Sequence, residues 1–408
     1  MPEPESPDTE VATLPEEALV DAFDAMLDMA APQPRFRSML EMSPVHEPAD
    51  GMVLSLSREA VDHVLRHHEL FSSRIDLGLG NVRPLIPLNV DPPLHSSYRK
   101  LLDPLFAPKR MDEQEADITR RVNALIDGFV DRGGCNFTEE FAEVFPSSVF
   151  LGLMGLPEDE MRAFLRMRDG ILHPEKHDPD ALLDPAARTA VMNRTGQEIY
   201  AYFGGLVDER RERPTDDVIS RFIAAEIDGQ RLTRDDILDI CFLFLIAGLD
   251  TVSDTLTCMF AFLATHPEHR RALVEDPTCI PSAVEELLRW ESPVPFGVPR
   301  VATQDTDLCG HAIKEGTAVM ISYGAANVDT STCPDAFDVR FDREENRHIA
   351  FGAGVHRCLG SHLARRELRV TLREWHRRIP EYRLAPGHEV LEYPPGLRHV
   401  KDLTLSWG

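Results

Sequence analysis

The sequence predicts a mainly α-helical chain with a small β region, and three observations carry that expectation. Residues 110 to 230 read as a succession of amphipathic segments with apolar positions at helical spacing. Residues 233 to 265 form one long run whose middle, Ile240 to Leu249, is uncharged and apolar on every face, the pattern of a core helix. Strand-like pieces are short: Met52 to Ser57 early on, Asp307 to Gly310 and Ala318 to Ser322 later, with Gly310 and Gly316 as turns.

Composition narrows the classes. Length alone, 408 residues, suggests two or three domains, but no linker divides the interior. Apolar content of 43% and charged content of 27% are those of an ordinary globular protein. The formal net charge of -26 argues against nucleic acid or an anionic membrane as partner. The apolar run at 240–249 is too short to span a bilayer, which takes about 20 residues. The seven cysteines (Cys135, Cys241, Cys258, Cys279, Cys309, Cys333, Cys358) are dispersed, which suits a reducing cytoplasm better than a disulfide scaffold. Residues 1–14 are acidic and proline-rich and read as a disordered tail, neither a signal peptide nor a membrane anchor.

Taken in order, Pro15 to Met29 reads as a helix, Met52 to Ser57 as a strand, and Arg58 to His67 as a helix. Phe71 to Leu88 is a long loop, a class that is either disordered or functional. Asp91 can cap a helix whose first positions accept Pro92 and Pro93. On that helix His95 and Arg99 lie four apart, on one face, where they can converge on an anion or simply meet solvent. The helices of 110–230 break at Gly133-Gly134, Pro146 and Pro157, and residues 168–196, with His173 and His177, read as a mobile helix–loop–helix. Glu286 and Arg289 are three apart on one helix turn. Pro293-Val-Pro-Phe-Gly-Val-Pro-Arg300 is too rich in proline for a helix, and Leu403 to Trp407 reads as a short edge strand.

Two stretches carry chemistry. Thr233-Arg-Asp-Asp236 is a capping box that opens the central helix, and His266-Pro267 closes it. At the end of its apolar run stands Ala247-Gly248-Leu249-Asp250-Thr251. An acid and a hydroxyl there are costly without a partner or a task. Structural alternatives are a threonine bonded back to its own helix and an ion-paired aspartate. Leu243, Ile246, Ala247 and Thr251 share one face. The second stretch is Phe351-Gly-Ala-Gly-Val-His-Arg-Cys358-Leu-Gly360, which becomes helical from about Leu359. Gly352 and Gly354 permit unusual backbone geometry, and Cys358 just ahead of a helix N-terminus is placed to be a thiolate. Taken alone, a lone cysteine such as Cys358 is usually just a small buried residue, and a zinc site with His356 and His362 lacks the paired spacing of structural sites.

This second stretch closely resembles the haem-ligand signature of the cytochromes P450, Phe-x-x-Gly-x-x-x-Cys-x-Gly, through Phe351, Gly354, Cys358 and Gly360. The resemblance is to the soluble bacterial class I type, and to camphor hydroxylases in particular. It implies a single haem domain over residues 15–408, with haem b held between the central helix and the cysteine-loop helix and Cys358 as its axial thiolate. Ala247 to Thr251 resembles the family's Ala/Gly-Gly-x-Asp/Glu-Thr motif, Thr251 hydrogen-bonding dioxygen and Asp250 delivering protons. His95, Arg99, Arg300 and His356 would hold the haem propionates, with Phe351, Gly352, Ala247 and Gly360 against the ring. Glu286, Arg289 and Arg343 would form a buried structural triad. Arg83, Leu85, Ile86, Leu243, Ile246, Ala247, Val294, Phe296 and Leu397 would touch substrate, and residues 168–196 would be the lid.

The implied activity is a cytoplasmic, monomeric monooxygenase that hydroxylates or epoxidises a small apolar, terpenoid-like substrate with O2. No flavin or nicotinamide module is discernible, so electrons from NAD(P)H would arrive through a ferredoxin reductase and a ferredoxin. Lys100, Lys109, Arg110, Arg357, Arg365 and Arg366 would form a basic dock for that ferredoxin on an otherwise acidic chain. A peroxide-driven hydroxylase and a non-enzymatic haem carrier or sensor are the alternatives.

Overall fold

The computed structural model describes residues 12–13, 28–227, 229–394 and 396–408. The tail at 1–14 and the helix at 15–29 fall almost wholly outside the described residues. The spine is the central helix, Arg234–Thr265. It starts where the sequence places it: the Thr233 hydroxyl accepts from the Asp236 N–H, and the Asp236 carboxylate accepts from the Thr233 N–H. Its apolarity has a simple cause, since it has packing partners around most of its surface, the stretch at Ala247 to Thr251 excepted. The N-terminal half, Ile237 to Leu249, packs with Leu85, Phe164, Phe203 and Phe222. The other half, from Val252 to Leu263, packs with Phe137, Phe141, Phe145 and Trp375.

Around this spine stand Pro108–Asp127, Val144–Met154, Met161–Leu172, Pro185–Glu212, Val218–Ala224, Ile280–Glu291 and Ser361–Arg378. Residues 168–196 comprise the end of one helix, short turns at Pro174–Lys176 and Pro179–Leu182, and the start of the next. Pro146 does not break a helix. It sits in the first turn of Val144–Met154, where its missing N–H would have had no helical partner. Nor does Asp91 cap the helix Leu94–Leu102, whose N-terminal flank makes no side-chain cap. Its carboxylate accepts instead from the Ser72 hydroxyl at 2.5 Å and the Ser73 N–H at 2.8 Å, tying the loop to the preceding strand.

A five-stranded mixed sheet lies to one side, in spatial order Val45–Ala49, Met52–Ser55, Ala318–Ser322, Phe296–Ala302 and Phe71–Ser72. Met52–Ser55 and Ala318–Ser322 run parallel, and the remaining pairs are antiparallel. The prolines of 293–300 thus precede and punctuate a strand. The C-terminal strand Thr404–Ser406 is not an edge: it lies between Arg383–Leu384 and Gly134–Asn136. Its short sequence has no feature that tells a middle strand from an edge, because both partners are distant in the chain.

Candidate active site

The cysteine loop is shaped by its glycines. Gly352 and Gly354 adopt φ of 65° and 66°, the left-handed region that side chains disfavour. A Cβ at Gly354 would stand 2.0 Å from the Leu65 carbonyl oxygen, so the loop can seat against the helix Arg58–Arg66 only with glycine there. The Cys358 N–H donates to the Phe351 carbonyl at 2.9 Å, closing the loop. The helix Ser361–Arg378 follows at once. Cys358 is exposed and opens on a cavity of about 420 Å³ that also touches Arg99, Phe106, Arg357, Leu359 and His362. Desolvation by the surrounding protein raises the thiol, against the Gly360 N–H and the cations of Arg99, Arg357 and Arg365. A metal cation would reverse that balance, since a coordinating thiol is deprotonated outright.

Beside the loop lies a group of nitrogen side chains drawn from three elements. His95 is 1% exposed, and neither ring nitrogen has a hydrogen-bond partner among the described residues. Its ring lies 4.1 Å from that of His356, whose Nε2 meets the Ser73 hydroxyl at 2.9 Å. Arg300 is buried, and its Nη1 donates only to carbonyls of its own strand, Val298 and Pro299. Arg99 reaches Asp103 at 2.7 Å and the Arg357 carbonyl at 2.9 Å. Burial, and then Arg99, push His95 down to about 4; burial, then Arg300 and His95, push His356 down to about 2. Such mutual suppression of positive charge is what an anion placed among these groups would relieve.

The central helix is open at one place. Ala247 is exposed and Gly248 and Thr251 are half-buried, while Ile240, Cys241, Phe242, Leu245 and Leu249 are 0% exposed. Leu243 and Ile246, at 8% and 7%, lie at the margin of this opening. Leu359 and Leu363 of the cysteine loop and its helix pack against the same apolar cluster, which brings the two motifs together. The Thr251 hydroxyl donates to the Ala247 carbonyl at 3.2 Å. Asp250 turns away from the opening and is buried: one carboxylate oxygen lies 2.6 Å from His173 Nε2, the other 3.2 Å from Arg168 Nη1. Burial would raise its pKa, but the His173 hydrogen bond and the Arg168 cation outweigh it and hold the carboxyl below its ordinary value.

The remaining site residues are spread around this opening. Leu85 and Ile86 are buried in the cluster that holds Leu243 and Ile246. The Arg83 guanidinium is engaged by Asp239 of the central helix at 2.9 and 3.1 Å, and the Tyr200 hydroxyl donates to the same carboxylate at 2.9 Å. Val294 and Leu397 are half-buried, and Phe296 packs edge-on against Phe36 at 6.2 Å. Phe351 lies under the Arg365 guanidinium at 4.4 Å. At Gly360, its chain neighbours aside, nothing among the described residues lies within 4 Å of where a Cβ would be. Glu286, Arg289 and Arg343 do form one buried ion cluster, with Glu286 bonded to Arg289 at 2.8 Å and to Arg343 at 3.1 Å. The basic cluster is smaller than its sequence count. Arg365 is paired with Glu285 at 2.7 Å and Arg366 with Asp112 and Glu115, whereas Lys100, Lys109 and Arg357 are exposed.

Ser73 and Tyr323 escaped the sequence reading as site members, and Arg168 and His173 entered it only as part of the lid segment 168–196. Tyr323 abuts Gly297 and Gly352 from a third element, and Ser73 meets a histidine 283 positions away. No local motif announces such partners. Among the described residues no group of three or more His, Cys, Asp or Glu side chains is arranged to hold a metal, which disposes of a zinc centre at His356, Cys358 and His362. The residues do fit a haem. Cys358 is exposed beside Leu359, which packs against the cluster of the central helix. Close by stand buried His95, whose ring nitrogens have no partner among the described residues, and buried Arg300, bonded to carbonyls of its own strand, a set suited to anionic groups.

Comparison with known proteins agrees. The family profile described as Cytochrome P450 matches residues 45–282 and 278–378. The mycinamicin IV hydroxylase/epoxidase of Micromonospora griseorubida is 36% identical over 328 residues, 78% of this chain and 79% of that protein. The steroid C26-monooxygenase of Mycobacterium tuberculosis is 33% identical over 372 residues, 88% of this chain and 89% of the relative. A solved structure of P450BioI with an acyl carrier protein bearing hexadec-9Z-enoic acid superposes with a TM-score of 0.85 at 26% identity, covering 93% of this chain and 99% of that one. Among the described residues no helix is long and apolar enough to cross a membrane. With its loop, central helix and cluster of nitrogen side chains accounted for together, this chain belongs to the cytochrome P450 family and is a haem-thiolate monooxygenase of the bacterial kind.

Proposed function

We propose that Cys358 would hold the haem iron through its thiolate and that the enzyme inserts one oxygen atom from O2 into an apolar aliphatic substrate of terpenoid or steroid character. When bound, the haem supplies the dioxygen chemistry itself; the chain orients, excludes water and moves protons. His95, Arg99, Arg300 and His356 hold the propionates, and Phe351, Gly352, Ala247 and Gly360 bound the ring. Thr251 presents its hydroxyl at the opening of the central helix, and Asp250 supplies protons behind it. Leu243, Ile246, Val294, Phe296 and Leu397 form a largely aliphatic wall, with Leu85 and Ile86 behind it. Arg83, held by Asp239, closes the polar end of the loop over that wall. The hydroxylase and steroid monooxygenase relatives support the reaction class. Electrons come from NAD(P)H through a reductase and a ferredoxin, to a monomer in the cytoplasm.

The observation that carries this reading is the exposed Cys358 on a glycine loop next to buried His95, whose ring nitrogens have no partner among the described residues, and buried Arg300. The test is the absorption spectrum of the purified protein reduced with dithionite under carbon monoxide. A strongly red-shifted Soret band, lost in Cys358→His, is expected. A band at the position of neutral-ligand haem in the folded wild type would overturn the assignment.

A further inference from the structure

Asp250 does not stand alone behind the opening; it is one end of a row of titratable groups that leads to the surface. His173 ends the helix Met161–Leu172, with its side chain 21% exposed. Its Nε2 is 2.6 Å from Asp250 Oδ2, and its Nδ1 is 3.8 Å from Glu175 Oε1 on the outer turn. One imidazole therefore touches a buried carboxylate with one nitrogen and the solvent side with the other. One helical turn beyond Asp250 lies Asp254, 5% exposed, whose Oδ2 has no hydrogen-bond partner among the described residues. Its Oδ1 is 3.9 Å from His399 Nδ1, and the His399 ring lies 5.9 Å from that of His173. Burial, and then the charge of Asp250, raise Asp254 well above the usual carboxylate range. The other charged groups facing the pair are Arg168 and Asp169 on the helix of His173, Lys176 on the outer turn, and Glu143 on the helix beneath.

We propose that His173 is the solvent-side proton donor to Asp250, a relay residue for the monooxygenase reaction and not a lid contact alone. The inference rests on the haem-thiolate reading given above. In the step, the Nε2–H bond breaks and an O–H bond forms at Asp250 Oδ2. At the same time Nδ1 takes a proton from a hydronium ion beside Glu175, which leaves as water. Once Asp250 has passed its proton inward, the imidazole exchanges its proton through solvent back to Nε2, so one solvent proton moves in and charge balances. Asp250 is the residue before Thr251, whose hydroxyl lies at the opening of the helix.

The test compares holoenzyme with His173→Gln and His173→Ala, using a ferredoxin–reductase pair and the apolar compound that gives the largest spin-state shift. Gln keeps an N–H donor for Asp250 but cannot relay a proton. Both variants are expected to lose product per NADH about tenfold, with the missing electrons in hydrogen peroxide. The solvent deuterium effect on turnover is expected to rise. The midpoint of the spin-state titration stays put. A second readout needs no turnover: nitrogen-15 shifts of the reduced, CO-bound protein are expected to place the His173 proton on Nε2. A Gln variant that couples like wild type, a variant whose only change is the spin-state midpoint, or a bare Nε2 would overturn the relay. Loss of the red-shifted CO band in the wild type would instead reject the haem-thiolate reading itself.

Discussion

Thr251 shows how much one hydroxyl can be asked to do. Its hydrogen goes to the Ala247 carbonyl at 3.2 Å, a back-bond within the helix, so the oxygen lone pairs remain free toward the opening. Thr251→Ala removes little from a helix this well packed. Haem content and substrate spin shift are expected to hold while product per NADH falls several-fold and peroxide rises; unchanged coupling would remove Thr251 from the mechanism. His376 is the opposite case, a residue whose work is structural. It is fully enclosed, meets the Leu372 carbonyl through Nδ1 at 2.7 Å, and meets the Tyr382 hydroxyl through Nε2 at 3.2 Å. Burial pushes it down to about 4, against its ordinary 6.5. The folded state therefore prefers neutral imidazole. Its contribution is complete above pH 6.5 and is lost as pH falls from there through about 4, by about 3 kcal/mol in all. Urea unfolding of wild type and His376→Gln across that range should show a shallower acid dependence in the variant; equal slopes would disprove the assignment.

At the scale of elements, the Glu286 cluster clamps the helix Ile280–Glu291 to the loop that approaches the cysteine. Glu286 is 0% exposed and accepts from Arg289 and Arg343, from Asn346 at 2.9 Å, and from the Arg340 N–H at 2.9 Å. Arg289 in turn donates to the Asn327 and Ala336 carbonyls. Removing one partner leaves a buried charge uncompensated. Arg343→Ala is expected to cost about 3–5 kcal/mol by thermal or urea unfolding, and to release haem more readily. A loss below about 1 kcal/mol would show that solvent already screens the pair.

Over the whole molecule, a net charge of -26 coexists with a small basic face. Two of the six residues expected there, Arg365 and Arg366, are neutralised by Glu285, Asp112 and Glu115. Lys100, Lys109 and Arg357 remain exposed, and Lys100 and Arg357 line the cavity that reaches Cys358. With Arg110 half-buried, the proposed steering of an acidic ferredoxin rests on these three exposed cations. Charge reversal of Lys100, Lys109 and Arg357 together is expected to slow reduction by a ferredoxin about tenfold at low salt, with the difference fading as salt rises. An equal rate at low salt would place docking elsewhere. Charge reversal of Arg365, by contrast, would disturb a structural pair.

The sequence by itself determined the elements whose signals are local. The capping box set the start of the central helix, His266-Pro267 its end, and the glycines of 352–360 the form of the cysteine loop, because caps, breakers and positive φ act within a few residues. Apolar periodicity likewise placed Leu243, Ile246, Ala247 and Thr251 together. Only the tertiary structure decided what depends on distant partners: that Asp250 faces Arg168 and His173, that Arg83 is engaged by Asp239, that Asp91 braces a strand instead of capping a helix, and that Thr404–Ser406 is a middle strand. A side chain's charge and reach are written in its own residue, but its partner is chosen by packing among groups many positions apart, and no local pattern records that choice.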